Sequence, residues 1–150
     1  MLILIASIFT AQADELYVKY SWETKPNIEI CPESNISNEE IKEALNYWST
    51  QISFKYNKVK KVSKCTKGKT NTIQITDGSN IKNSTALADS TVTWYYYPDI
   101  DPNAKEKFVD YAVVRIPTNL SYEKQSIINH EIGHALGLGH SNHEIMKSHF

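Results

Sequence analysis

Residues 130–140 read His130-Glu131-Ile132-Gly133-His134-Ala135-Leu136-Gly137-Leu138-Gly139-His140. Apolar Ile127 and Ile128 lead into this stretch at helical spacing, and Ser121 stands where it can cap such a helix. On a helix, His130 and His134 lie one turn apart on the same face and can hold one ion between them. Glu131 is adjacent to the first histidine and can reach a metal-activated water without taking a coordination position, which suits a general base. Gly137 falls where the helix must stop, because glycine alone adopts positive φ there without cost. The turn it permits brings His140 back as a third imidazole. Three neutral imidazoles leave the fourth tetrahedral position open, as catalytic sites do and closed structural sites do not. Histidines packed on an apolar helix face are the alternative, but three of the chain's five histidines fall within these eleven residues.

Further from this stretch the pattern becomes that of a small α/β domain. Ile28 and Ile30 alternate in a strand that Pro32 stops. Ser37-Asn38-Glu39-Glu40 has the form of a capping box, with Ile36 and Ile41 placed as a hydrophobic staple. Ile41, Ala44, Leu45 and Trp48 then mark one face of a helix of about 14 residues. Alternation predicts strands at Ile52-Phe54-Tyr56, at Ile73-Ile75 and at Val92-Trp94-Tyr96. The nearly continuous apolar run 111–116 predicts a strand covered on both faces, ended by Pro117. Strand, helix, several strands, helix implies one mixed, twisted sheet, a packing helix and a helix carrying the histidines. The 150 residues make one domain of ordinary globular composition, 41% hydrophobic and 22% charged.

The net charge of −1 excludes a nucleic-acid binder acting through bulk charge. No apolar run is long enough to span a membrane. Residues 2–9 are almost entirely apolar and lead to Ala11-Gln12-Ala13 and then Asp14-Glu15, which reads as a secretory signal peptide over 1–13 despite the missing basic residue before it. The mature chain would then be 14–150, secreted to an extracellular or periplasmic space, free of the membrane and monomeric. In an oxidising compartment the two cysteines, Cys31 and Cys65, are expected to form a disulfide; two buried thiols are the alternative. Seven lysines (55, 58, 60, 61, 64, 67, 69) occur between Ile52 and Thr76 with no acid among them. A solvated edge explains them more simply than a polyanion site. Asp99-Ile100-Asp101-Pro102-Asn103 lacks the glycine and glutamate of an EF-hand. A calcium site of another geometry has no support there, and an acidic turn is the simpler reading.

The eleven-residue stretch, followed by Ser141, resembles the metzincin zinc signature in its matrixin form. The resemblance covers about residues 28–146 and is motif-grade over 130–146. It implies a zinc endopeptidase with protein or peptide substrates, in which an extended substrate pairs with an edge strand; segment 85–97 is the candidate edge. It makes Met146 the Met-turn residue, an apolar floor beneath the zinc ligands. Three departures stand out. Met146 follows His140 by only six residues. Four residues follow it, so the family's third helix has no counterpart within the sequence. The surroundings of Cys31 do not match the family's cysteine switch. No tyrosine stands two residues after Met146, so a tyrosine ligand is not expected, and His143 and His149 read as loop and tail residues. Glu131 is thus expected to be the catalytic base, with His130, His134 and His140 as metal ligands and Gly137 and Met146 as structural support. A secreted zinc-binding module that no longer cleaves is the competing expectation, which the presence of Glu131 disfavours.

Overall fold

Ile28 and Ile30 begin the core, both fully buried on β1 (Asn27–Ile30). The computed structural model describes residues 15–81, 86–97, 106–120 and 123–148. The leader over 1–13, the turn Asp99–Asn103, the cap Ser121 and the tail residue His149 lie outside the described residues. After β1 come α1 (Asn38–Ser49), β2 (Val59–Lys61), β3 (Thr72–Asp77), β4 (Asp89–Tyr95), β5 (Phe108–Ile116) and α2 (Lys124–Ala135). Short 3₁₀ turns occur at Gly78–Asn80 and Glu144–Met146.

The strands form one sheet in the order β2-β1-β3-β5-β4. Its first four members are parallel, and β4 closes the far edge antiparallel to β5. This is the mixed sheet and α+β domain expected from the sequence. One face carries the core. Ile28, Ile30, Ile73, Ile75, Ala112, Val114 and Ile116 alternate onto it and are fully buried. The helices bring Ile41, Leu45, Trp48, Ile128 and Ile132 against them. The capping box forms as read. The Glu40 N–H donates to Ser37 Oγ at 3.1 Å, and the Ser37 N–H donates to Glu40 Oε2 at 2.8 Å. Trp48 ties the two helices together, its indole N–H donating to the Asn129 carbonyl at 2.8 Å from a fully buried position. An ion pair between Lys124 Nζ and Glu40 Oε1 at 2.6 Å adds to this junction.

On the other face the lysine-rich segment packs over β1 and β3. Cys31 and Cys65 form the expected disulfide, with Cα atoms 5.5 Å apart. The side chain of Gln74 donates to the Thr66 carbonyl at 2.8 Å. Glu29 points to this face with its side chain almost inaccessible, and Lys69 and Lys60 reach it at 2.7 and 3.2 Å. Burial alone would raise the Glu29 pKa, but the hydrogen bonds and charges of the two lysines outweigh it and hold the carboxyl below its ordinary value.

Two expectations are corrected. Residues 52–56 form no strand. Phe54 and Tyr56 stack on one another from irregular backbone, with ring centroids 6.1 Å apart, and the ladder begins only at Val59. Alternation reports which way side chains point, not whether the backbone finds a partner. The strand expected at 111–116 is longer, Phe108–Ile116, and only its helix-side face is buried. Tyr111, Val113 and Arg115 line an open groove of about 580 Å³ on the other face. There Arg115 pairs with Asp89 and bonds Thr91 Oγ1, both at 2.9 Å.

Candidate metal and catalytic centre

Helix α2 buries an unusual set of polar groups for its length: Asn129, His130 and Glu131 are all buried beside Ile127, Ile128 and Ile132. Its N-cap is Glu123, in a left-handed conformation at φ 54° and without a side-chain capping bond. At the other end Gly137 has φ +103°, and a Cβ there would collide with the Tyr20 carbonyl oxygen. Both the turn and the close approach of a second chain segment therefore require glycine.

The turn returns His140 to the helix face. His134 Nε2 lies 3.0 Å from His130 Nε2 and 3.2 Å from His140 Nε2. Two nitrogens each about 2.0–2.1 Å from a tetrahedral zinc ion stand about 3.3 Å apart; two of the pairs are near that spacing and all three ligand atoms lie within 4.8 Å of one another, which suits one such ion. The opposite ring nitrogens of two histidines are held. His130 Nδ1 is 2.6 Å from the Ile145 carbonyl and His134 Nδ1 is 2.8 Å from the Leu138 carbonyl. Each carbonyl accepts from Nδ1–H, which fixes the tautomer and turns the Nε2 lone pair inward. Burial lowers the pKa of both rings, in His134 to about 4, against the pull of those carbonyls. Both are therefore neutral at pH 7, as ligands must be.

Glu131 is buried next to this cluster. Burial raises its carboxyl to about 7; the Ser90 hydroxyl opposes the shift and Asp89 adds to it. One of its oxygens, Oε2, is buried without a hydrogen-bond partner. An unpartnered buried carboxylate oxygen is costly unless another group completes it. Strand β4 passes close by, with Ser90 Oγ donating to the Glu131 backbone carbonyl at 2.9 Å.

Met146 is fully buried. Its sulfur and the Trp48 ring fill the space beside Gly133, where a Cβ would come within 2.6 and 2.8 Å of them. Its side chain thus packs against the helix between the two turns that carry His130 and His134. The short spacing after His140 is taken up by the 3₁₀ turn Glu144–Met146, closed by Met146 N–H donating to the His143 carbonyl at 2.9 Å. His143 turns away from the cluster. It is buried, its ring packs 5.5 Å from that of Trp48, and its Nδ1 accepts from the Ile145 N–H at 3.3 Å.

The sequence reading missed the support of His140. Segment Tyr17–Tyr20 runs antiparallel beside the ligand loop, with Val18 bridged to Leu138. The Gly137 carbonyl accepts from the N–H groups of Lys19 at 2.8 Å and Tyr20 at 3.0 Å, and the Gly139 N–H donates to the Tyr17 carbonyl at 2.8 Å. The alternation of Leu16, Val18 and Tyr20 was the available signal for an extended segment.

Compared with known proteins, the chain has no significant match among curated sequences. The matrixin family model, in contrast, matches residues 15–150, which includes every element described above and the whole histidine cluster. With that match spanning nearly all of its length, the chain belongs to the matrixin family of zinc metallopeptidases.

Proposed function

We propose that this protein is a secreted zinc-dependent endopeptidase in which His130, His134 and His140 hold the metal and Glu131 is the general base. The observation that carries the reading is the convergence of three Nε2 atoms, 3.0 and 3.2 Å apart, beside a buried carboxylate with an open oxygen. Bound there, zinc would polarise the scissile carbonyl and make water a better nucleophile near neutral pH.

The chain's own residues do the rest. Ile145 and Leu138 hold two imidazoles in the ligating tautomer through their carbonyls. Glu131 accepts a proton from the attacking water and later delivers it to the leaving amine nitrogen, so one carboxyl serves as base and then as acid. Among the described residues, strand β4 is the outer strand of the sheet beside Glu131 and offers backbone groups to an extended protein or peptide substrate. Residues 1–13 act as the export signal, and the Cys31–Cys65 disulfide agrees with an oxidising destination. The mature domain acts as a monomer.

Glu131→Gln tests the assignment. The variant should bind zinc as the wild type does, by metal analysis after dialysis, while chelator-sensitive cleavage of a denatured protein falls by at least about 10²-fold. Cleavage at the wild-type rate would remove Glu131 from the mechanism.

A further inference from the structure

Of the described histidines, His143 alone stands outside the cluster of three, yet it is buried. A polar ring is costly to bury unless its nitrogens find partners. Those of His143 do. Its Nδ1 accepts from the Ile145 N–H at 3.3 Å, so the ring proton is on Nε2, which faces Tyr47 Oη at 3.5 Å. This is the reverse of His130 and His134, whose Nδ1 atoms carry the proton. The ring packs against Trp48 and Tyr47 of α1, with centroids 5.5 and 6.3 Å away.

The loop around His143 joins the third histidine of the cluster to the first. Ser141 directly follows His140, and its N–H donates to the Met146 carbonyl at 3.0 Å. The Met146 N–H returns to the His143 carbonyl at 2.9 Å, and the His143 N–H donates to Ser141 Oγ at 3.2 Å. Within this loop the main chain of Ile145 meets two imidazoles. Its N–H donates to His143 Nδ1, and its carbonyl accepts from His130 Nδ1 at 2.6 Å. The turn Glu144–Met146 is three residues long, and the first N–H groups of such a turn have no partner within it. The His143 side chain supplies one.

We propose that His143 is a positioning residue of the metal centre: it caps the Ile145 N–H and anchors the loop on Trp48 and Tyr47, and so holds the Ile145 carbonyl where that carbonyl orients His130. The proposal rests on the zinc-site reading above and adds the residue through which α1 supports the centre. Loss of a partner behind a metal-bound imidazole typically weakens the metal about 10–100-fold. A residue that only fills space can be replaced by any ring of similar size, whereas positioning needs the acceptor atom. The two can be separated. Phenylalanine keeps a ring and has no acceptor. Asparagine gives up the ring, but its Oδ1 can accept from the backbone two residues on.

The test compares wild type with His143→Phe, His143→Leu and His143→Asn by two measurements on the full chain. One is zinc affinity by competition with a chelator. The other is NMR of the His130 Nδ1–H, which is shielded from solvent exchange while it donates to the Ile145 carbonyl. His143→Phe and His143→Leu should bind zinc about tenfold more weakly and exchange that proton faster. His143→Asn should stay within about twofold of wild type in affinity and keep the proton shielded. Wild-type affinity in His143→Phe, or equal losses in His143→Asn and His143→Leu, would overturn the positioning role. If His143→Phe does not fold, Asn against Leu, which are similar in size, still separates the acceptor from the volume. If wild type itself binds no zinc, the metal reading has failed, and the proton exchange decides alone. Faster exchange in His143→Leu than in His143→Asn supports the role of His143, and equal exchange in the two refutes it.

Discussion

Gly133 shows how little room the ligand helix leaves. A methyl group there would meet the Met146 sulfur and the Trp48 ring at under 3 Å. Gly133→Ala should therefore cost about 1–3 kcal/mol of stability through overpacking, read from chemical denaturation; a variant as stable as wild type would show that Met146 moves aside freely. The grouping of the three histidines was legible in the sequence, because the helical period and the glycine turn fix their spacing. His130, His134 and His140 fall as the helical period and the glycine turn require. What stayed illegible was the second partner of two of the rings, His130 and His134. The Ile145 and Leu138 carbonyls that set the tautomers are backbone atoms, and no residue type announces them. Nor did the sequence show that the loop residue His143 is a buried neighbour of Trp48.

Among the elements, the segment Tyr17–Tyr20 governs how firmly His140 is held, through three backbone hydrogen bonds to Gly137 and Gly139. Lys19→Pro removes one donor and Lys19→Ala removes none. If His140 is a ligand as proposed, zinc affinity, measured by competition with a chelator, should fall about tenfold in the proline variant and stay within about twofold in the alanine variant, the loss of one net hydrogen bond beside His140. Equal affinities would mean that the loop holds its shape unaided. The helices and the strands β1 and β3 were legible because capping chemistry and apolar period agree there. The misplaced strand at 52–56 has a physical cause. Ile52, Phe54 and Tyr56 turn toward the edge of the core without a ladder partner, whereas Val59–Lys61 has the partner and little apolar signal. An edge strand rich in lysine is designed against pairing with other chains, which hides it from pattern reading.

For the molecule as a whole, pH acts on the face away from the histidines as well as at the buried centre. The Glu29 carboxyl is held below its ordinary value of 4.5. A group with a lowered folded pKa stabilises fully above its unfolded value and loses that contribution as pH falls through the folded one. Thermal melts of wild type and Glu29→Gln should thus differ most at pH 6, with the gap narrowing as the pH falls below 4.5; a gap constant from pH 6 to pH 3 would exclude the linkage. The fold class was legible because the order of elements limits the topologies, but the strand order was not, since nothing local dictates that β3 lies between β1 and β5. The same separation of faces has an outcome for durability. The cross-link between Cys31 and Cys65 lies behind the sheet, remote from the three imidazoles, and closes 34 residues of chain. A reductant should leave the initial velocity of each intact molecule unaltered yet shorten its half-life when warmed, so the enzyme would wear out by unravelling long before its chemistry slowed.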